Sequence, residues 1–112
     1  MVAGPARVST NPAGELSDVS TFDGRVAIVT GGANGMGEAV VHTLSRRGAV
    51  VVIADKDVER AALVADEAGR GGREVVSIPT DVRDEEQVRG LVAKVVADYG
   101  RIDFLEIGRA HV

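Results

Sequence analysis

Several residue types are scarce or missing in this sequence, and each absence excludes a class of protein. None of the 112 residues is cysteine, which excludes disulfides and thiolate metal sites and favours a reducing cytoplasm. Aromatic residues make up 3% and tryptophan is absent, so the core must be built from Val, Ile, Leu and Ala. No apolar run approaches the roughly 20 residues of a membrane span, and no basic segment leads into an apolar one near Met1. We therefore expect neither a membrane partner nor a secretory signal.

The charge balance is mildly acidic and unpatterned. There are 13 Lys and Arg residues against 17 Asp and Glu residues, which gives a net charge of −4 at pH 7. The sequence has no basic run and no stripe of basic and aromatic residues, so nucleic acid is not an expected partner. The length allows at most one domain, and 45% hydrophobic residues are typical of a globular chain.

The first 22 residues differ in composition from the rest. Residues 1–21 are mostly small and polar, include two prolines and show no hydrophobic period. We expect a disordered tail over residues 1–22. A targeting peptide is the alternative, but Arg7 is the one basic residue of this segment, while Glu15 and Asp18 are acidic.

Apolar β-branched runs alternate with helical patterns over the rest of the chain. Strands are predicted at residues 25–30, 50–54 and 74–79, with a fourth beginning at 102–105, and helices at residues 35–47, 57–68 and 84–99. The strands are apolar on successive residues, which indicates burial on both faces. The order β-α-β-α-β-α-β predicts an α/β fold with a parallel sheet and right-handed crossovers. It is typical of the N-terminal part of a doubly wound Rossmann fold, here truncated in its fourth strand.

Each predicted helix has an apolar face and a stop or start signal. In the first helix, the residues expected to face inward are Met36, Ala39, Val40, Val41 and Leu44. In the second helix they are Ala61, Ala62, Leu63 and Val64. In the third they are Val88, Leu91, Val92, Val95, Val96 and Tyr99. Asp84 and Gln87 have the spacing of a capping box, and Gly48 and Gly100 are placed to end helices.

A glycine-rich turn joins the first strand to the first helix. A helix N-terminus carries unpaired N–H groups and a partial positive charge, so it suits the two negative charges of a pyrophosphate. Gly31 would allow the tight exit from the strand, Gly35 would let the backbone approach the phosphates, and Gly37 would let the helix pack closely. The alternative is a tight turn without a ligand. The clear strand before it and the clear helix after it favour a dinucleotide site.

Two carboxylates follow neighbouring strands. Asp55 ends the second strand, where it can accept both ribose hydroxyls of an adenosine and would repel a 2′-phosphate. This favours NAD over NADP, although Lys56 lies beside it. Asp81 follows the third strand, where its carboxylate would meet the adenine amino group. The alternatives are that Asp55 caps the next helix and that Asp81 makes an Asx turn.

Other sites are not supported. No Lys-Ser or Lys-Thr follows the glycines, which excludes a P-loop, and no Gly-x-Ser-x-Gly elbow occurs. His42 is interpreted as a surface or half-buried residue, since no His, Asp or Glu partner with metal-binding spacing is recognised. We expect no metal site.

These features together resemble the short-chain dehydrogenase/reductase family of NAD(P)-dependent oxidoreductases. Residues 30–37 read Thr-Gly-Gly-Ala-Asn-Gly-Met-Gly and match the family's Thr-Gly-x-x-x-Gly-x-Gly motif. Asp55 falls on its NAD-selecting acidic position, residues 81–82 on its adenine-contacting pair, and residues 99–103 on its usual entry to the fourth strand. The resemblance, over residues 22–105, implies these cofactor-binding residues: Gly31, Asn34, Gly35, Met36, Gly37, Asp55, Asp81 and Val82. It also implies NAD as cofactor, an alcohol or ketone substrate, and a full-length homo-oligomer.

The resemblance stops where the family continues with Asn-Asn-Ala-Gly. This chain has Glu106 and residues 107–112 there, and a DNA string resembling a sequencing-adapter oligonucleotide can encode the last six residues. We therefore expect residues 106–112 to be non-native or divergent. The family's catalytic Asn, Ser, Tyr and Lys lie further on, and Tyr99 cannot replace the Tyr-x-x-x-Lys tyrosine because Asp103 occupies the lysine position. No catalytic residue is expected here, and a stand-alone nucleotide-binding module or a fragment without function stay as alternatives.

Overall fold

The computed structural model describes residues 8–10, 16–18 and 22–107, with side chains over 22–106. Two short strands, β1 (Val8–Thr10) and β2 (Leu16–Asp18), pair antiparallel. The other residues up to 21, and residues 108–112, lie outside the described residues. The disordered N-terminal tail and the non-native or divergent C-terminal tail stay predictions.

The main body contains four strands and three helices in strict alternation. They are β3 (Val26–Thr30), α1 (Gly35–Arg46), β4 (Val50–Asp55), α2 (Val58–Arg70), β5 (Val75–Pro79), α3 (Glu85–Tyr99) and β6 (Phe104–Ile107). Each boundary lies within two residues of its prediction, and the fourth strand extends to Ile107. None of the helices in this part of the chain is long and apolar enough to cross a membrane.

The four strands form one parallel sheet in the order β5-β4-β3-β6. From β3 the chain proceeds outward to β4 and β5, and then returns to place β6 on the other side of β3. The strand order therefore reverses between β3 and β6. In open parallel sheets of this kind, ligands bind beyond the carboxyl ends of the strands near that reversal. The predicted α/β fold with a parallel sheet is confirmed.

The core has two layers, one on each face of the sheet. On one face, α1 and α2 pack on β3 and β4 through Val29, Ala33, Val41, Ala49, Val51, Ile53, Ala61, Val64 and Ala68. On the other face, α3 packs through Val26, Ile28, Val52, Ala54, Leu91 and Val95. Because helices cover both faces, the central strands are apolar on successive residues, as the sequence predicts.

The predicted inward faces of the helices need correction. Met36 is 73% exposed and Leu63 57% exposed, and Ala39, Ala62, Val92 and Val96 are exposed as well. Val41, Ala61, Val64, Leu91 and Val95 are buried as predicted, and Gly37, Ser45 and Ala68 are buried as well. In each helix the predicted apolar residues span a wider part of the surface than the sheet covers, so the pattern alone does not locate the buried centre.

The helix ends follow the expected signals with one difference. Asp84 accepts hydrogen bonds from the N–H groups of Glu86 and Gln87, which confirms the N-cap. The return bond of a capping box is absent: the Gln87 side-chain oxygen accepts from the Asp81 N–H at 2.8 Å. Gly48, two residues after α1, and Gly100, directly after α3, adopt positive φ angles of 97° and 79°.

Candidate functional site

The carboxyl edge of the sheet gathers the residues that the sequence singles out. The glycine-rich loop follows β3, and its Gly31 N–H donates to the Ala54 carbonyl on β4 at 3.0 Å. The Thr80 N–H, directly after β5, donates to the Asp55 carbonyl at 3.1 Å. These bonds connect the loop, Asp55 and the segment that carries Asp81 and Val82 along one edge of the molecule.

The loop depends on glycine at several positions for different reasons. Gly31 and Gly35 have φ angles of 69° and 56°, in the left-handed region that other residues rarely adopt. A Cβ at Gly37 would lie far inside contact distance of the Gly31 carbonyl oxygen. A Cβ at Gly32 would meet the Ile53 side chain at 3.0 Å. The requirement at Gly32 is not apparent from the sequence, because β4 imposes it.

The space around Gly35 is open. A Cβ there would meet no atom within 4 Å, and Asn34, Gly35 and Met36 are all exposed. Asn34, the N-cap of α1, makes no side-chain hydrogen bond to the helix, whereas Asp57 and Asp84 cap α2 and α3. The first-turn N–H groups of α1 therefore lack a side-chain acceptor from their own cap. This arrangement can receive an anionic group.

Asp55 contacts the glycine-rich loop directly. Its Oδ2 accepts the Ala33 N–H at 3.2 Å, and its Oδ1 accepts the Asp57 N–H at 2.9 Å. The N-cap of α2 is Asp57, whose carboxylate accepts the Arg60 N–H, so the alternative that Asp55 caps this helix is wrong. Each Asp55 oxygen has one backbone donor and keeps a lone pair for a further hydroxyl donor.

Asp81 makes the Asx turn that the sequence offers as its alternative. Its Oδ1 accepts the Arg83 N–H at 3.0 Å, and the Arg83 guanidinium donates to both carboxylate oxygens at 3.1 and 3.2 Å. The side-chain hydrogen bond from Arg83 lowers the pKa of Asp81 from 3.8 to about 2. Val82 beside it is 51% exposed. An adenine amino group would have to share Asp81 with this guanidinium.

Tyr99 has a structural environment. Its hydroxyl donates to Glu74 at 2.7 Å, and its ring packs against the α3 side of the core. Burial, together with the Glu74 carboxylate, raises the pKa of Tyr99 to about 12. A tyrosine that acts as an acid or base near neutral pH needs a lowered pKa, so Tyr99 is unsuited to that role.

One cluster corrects the sequence analysis of His42. Glu38 lies one helical turn before His42 on α1, and Glu67 of α2 joins them, with one ligand atom from each residue within 4.8 Å of the others. The statement that His42 has no partner with metal-binding spacing is therefore wrong. However, Arg60 donates to Glu38 at 2.8 Å, and Glu67 is exposed. Glu38 is therefore already paired with a cation, and the expected absence of a metal stays a prediction.

The family relationship follows from this edge and its order along the chain. The sequence profile of the family described as "short chain dehydrogenase" matches residues 25–109. The chain belongs to the short-chain dehydrogenase family. The fold that this implies is the one that the sheet order shows.

Similar proteins include two named dehydrogenases and a dehydrogenase of solved structure. The (−)-isopiperitenol/(−)-carveol dehydrogenase, mitochondrial, of Mentha piperita is 42% identical over 91 residues, covering 80% of this chain and 34% of that protein. The (+)-borneol dehydrogenase 1 of Salvia officinalis is 46% identical over 84 residues, covering 75% and 31%. NAD+-bound xylitol dehydrogenase matches with a TM-score of 0.73 at 35% identity, covering 76% of this chain and 33% of that one. This chain thus spans about one third of the length of these relatives.

Proposed function

We propose that the carboxyl edge of this sheet binds the adenosine and pyrophosphate half of NAD. The parent protein would be an oxidoreductase that transfers a hydride between nicotinamide and an alcohol or ketone. The observation that carries the proposal is the hydrogen bond from the Ala33 N–H to Asp55. It joins the loop suited to phosphates to the carboxylate suited to the ribose.

The pyrophosphate would lie at the start of α1. Gly35 leaves open space there, and Asn34 leaves the first-turn N–H groups without a side-chain acceptor. A partial positive charge at the helix N-terminus would favour the bound phosphates. The residues present therefore fit the phosphate part of a dinucleotide.

The electrostatics near the ribose support NAD rather than NADP. The Asp55 carboxylate would accept the ribose hydroxyls and would repel a 2′-phosphate. Two nearby cations are already paired with carboxylates, Arg60 with Glu38 and Arg83 with Asp81. Lys56 is exposed beside Asp55 and is the remaining cation of this segment. A single lysine would bind a 2′-phosphate more weakly than the arginine that usually accommodates this group in NADP sites.

The adenine would lie over the segment after β5. Asp81 would accept a hydrogen bond from the adenine amino group while it keeps its contact with Arg83, since each carboxylate oxygen can accept more than one donor. The exposed Val82 side chain would supply apolar contact. Binding of this kind would use the pre-formed Asx turn without rearranging it.

We propose that the catalytic residues of the whole protein lie outside these 112 residues. Tyr99 is the one tyrosine of the chain, and the residue four positions later is Asp103. We propose that the chain alone has no turnover, and that the whole protein is a cytoplasmic homo-oligomer. A genomic read through codon 105 that continues into Asn-Asn-Ala-Gly and a later Tyr-x-x-x-Lys supports the oxidoreductase. A frame that ends at Val112 supports the alternative of a stand-alone nucleotide-binding module.

The binding proposal is tested with ADP-ribose, the half of NAD that these residues would hold. Isothermal titration calorimetry on the 112-residue chain compares ADP-ribose with its 2′-phosphorylated form. We expect measurable binding of ADP-ribose and at least about tenfold weaker binding of the phosphorylated compound. Two like unit charges about 4 Å apart repel by about 1–4 kcal/mol between bulk water and a protein surface, and about 1.4 kcal/mol corresponds to tenfold in affinity. Equal affinities contradict the NAD preference, and no binding of either compound contradicts the site.

The matched variants are Asp55→Asn and Asp66→Asn. Asp66 is also an aspartate of the β4–α2 region, but it lies on the exposed side of α2 and pairs with Arg70. Asp55→Asn should weaken ADP-ribose about tenfold, because a charge-assisted hydrogen bond becomes a neutral one. Asp66→Asn should leave the affinity unchanged.

A further inference from the structure

We infer that Arg60 is a positioning residue for this cofactor site, holding the glycine-rich loop in its binding conformation from the neighbouring helix. The inference rests on the proposed function. Arg60 lies in the first turn of α2, yet its guanidinium reaches across to the loop after β3. Its Nε donates to the Ala33 carbonyl at 3.0 Å, and its Nη2 donates to Glu38 of α1 at 2.8 Å.

Ala33 is held at both of its polar groups by side chains from one segment. Its N–H donates to Asp55 at 3.2 Å and its carbonyl accepts from Arg60 at 3.0 Å, while the residue itself is fully buried. A buried backbone group without a partner is unfavourable, so each of these bonds restrains the loop. Asp55 and Arg60 thus restrain Ala33, the residue directly before Asn34 and Gly35.

The position of Arg60 is itself fixed by the cap of α2. The Arg60 N–H donates to the Asp57 carboxylate at 3.1 Å, and the Asp57 N–H donates to Asp55 at 2.9 Å. The contacts therefore run from the Asp55 carboxylate through the Asp57 N-cap to Arg60, and from Arg60 back to the glycine-rich loop. A guanidinium suits this place because its fork can donate to a carbonyl and a carboxylate together.

Arg60 also neutralises the one acidic residue in the first turn of α1. Glu38 carries a negative charge close to the helix N-terminus where the pyrophosphate would lie. Its carboxylate is 24% exposed and pairs with Arg60 at 2.8 Å. Without Arg60, Glu38 would repel the phosphates in addition to the loss of the loop contact.

The contrasting interpretation is an ordinary surface ion pair, and α2 contains a matched example. Arg70 pairs with Asp66 one turn away, and these side chains are 75% and 64% exposed, against 41% for Arg60. Pairs as exposed as Arg70 and Asp66 contribute little to stability. Arg70→Met is therefore the control for Arg60→Met, because both remove an α2 arginine and one ion pair.

The first measurement needs no cofactor. Hydrogen exchange of the amides of residues 31–37 is compared in the 112-residue chain and its two variants. Arg60→Met should speed exchange of the Ala33 amide about tenfold relative to amides in β3, whereas Arg70→Met should leave the ratio unchanged. An unchanged loop in Arg60→Met overturns the inference, whatever the chain binds.

The second measurement is ADP-ribose affinity by calorimetry. Arg60→Met should weaken binding about tenfold, and Arg60→Lys should retain part of the affinity, since a lysine keeps the charge but not the fork. Adding Glu38→Gln to Arg60→Met should recover part of the loss by removing the freed charge. An unchanged affinity in Arg60→Met shows that Arg60 has no part in cofactor binding.

The two inferences fail separately. If the unmodified chain binds no ADP-ribose, the proposed function falls, and the exchange experiment still decides whether Arg60 positions the loop. If the unmodified chain binds and Arg60→Met binds equally well, the proposed function stands and the inference about Arg60 is wrong.

Discussion

Val26 and Asp103 hold the first and last strands of the sheet together through two reciprocal bonds. The Val26 N–H donates to the Asp103 carboxylate at 2.8 Å, and the Asp103 N–H donates to the Val26 carbonyl at 2.8 Å. The Arg101 guanidinium donates to both carboxylate oxygens of Asp103. Asp103 therefore docks the start of β6 against β3, where the strand order of the sheet reverses.

Replacement of Asp103 should loosen β6 and change the pH dependence of stability. The hydrogen bonds from Arg101 and Val26 lower the pKa of Asp103 in the folded chain. A lowered folded pKa means that the stabilisation is complete above the unfolded value, near 3.9, and is lost as pH falls through the folded value. Urea unfolding at several pH values should show a weaker acid dependence for Asp103→Asn than for the unmodified chain.

The control for this prediction is Asp98→Asn. Asp98 forms an exposed ion pair with Lys94 on α3. An exposed i,i+4 pair of this kind contributes about 0.3–0.5 kcal/mol. Identical acid dependence in Asp103→Asn and Asp98→Asn would contradict the docking role of Asp103.

Alanine substitutions at glycines should separate backbone strain from close contact. Gly35→Ala should destabilise the chain by about 1–2 kcal/mol, because φ is 56° there although the space is open. Gly37→Ala should cost at least about 2 kcal/mol, since the new Cβ would overlap the Gly31 carbonyl oxygen. Urea unfolding gives both values.

Gly90 supplies the control with the opposite sign. It lies inside α3, has no positive φ, and a Cβ there would meet no atom within 4 Å. Gly90→Ala should therefore stabilise the chain by about 0.5–1 kcal/mol through helix propensity. If Gly90→Ala and Gly35→Ala lose the same stability, then neither the positive φ at Gly35 nor the helical conformation at Gly90 determines the effect.

The order and type of the main elements could be predicted because the central strands are buried on both faces. β3 and β4 carry successive apolar residues without alternation, and glycines or aspartates mark their ends. The positions of the glycine-rich loop and of Asp55 can be predicted for the same reason, since both lie at strand ends. A strand that is a short apolar run with clear boundaries can be assigned from the sequence alone.

Features that depend on contacts between distant residues could not be predicted in this way. The Arg60 bond to Ala33 spans 27 residues, and the steric need for Gly32 comes from Ile53 and Val41. The sequence predicts too broad an inward face for α2, because Ala61 to Val64 are all apolar and only the packed sheet selects among them. For the His42 group, the four-residue spacing from Glu38 is a signal in the sequence, but the contribution of Glu67 depends on how α2 packs beside α1.

Tyr99 should titrate well above the usual range of a tyrosine. Burial, together with the Glu74 carboxylate that accepts its hydroxyl, raises the pKa of Tyr99 to about 12. A raised folded pKa means that the stabilisation is complete below the unfolded value of about 10 and is lost as pH rises through the folded value. Since Tyr99 is the one tyrosine and tryptophan is absent, tyrosinate absorbance reports this group alone.

Two variants check the cause of the Tyr99 shift. Glu74→Gln should move the titration midpoint downward by removing the negative charge, while burial should keep it above the unfolded value. Tyr99→Phe should cost about 0.5–1.5 kcal/mol in urea unfolding, the typical value of one hydrogen bond. A midpoint near 10 in the unmodified folded chain would contradict the buried, hydrogen-bonded environment.

Apolar side chains exposed on the α3 side of the sheet should cause the 112-residue chain to self-associate. Val92 and Val96 lie one turn apart on α3 and are 41% and 47% exposed, and Leu105 of β6 is 64% exposed. Leu105 pairs in register with Ile28, whose side chain packs on the α3 side, so the two side chains share that face of the sheet. Such exposed apolar groups favour association in water.

Sedimentation velocity should show concentration-dependent oligomers, and the double variant Val96→Glu, Leu105→Glu should shift the distribution to monomer. Leu63→Glu is the control, since Leu63 is 57% exposed on α2, on the opposite face of the sheet. Equal recovery of monomer by Leu63→Glu would mean that added charge, rather than the α3 face, governs solubility.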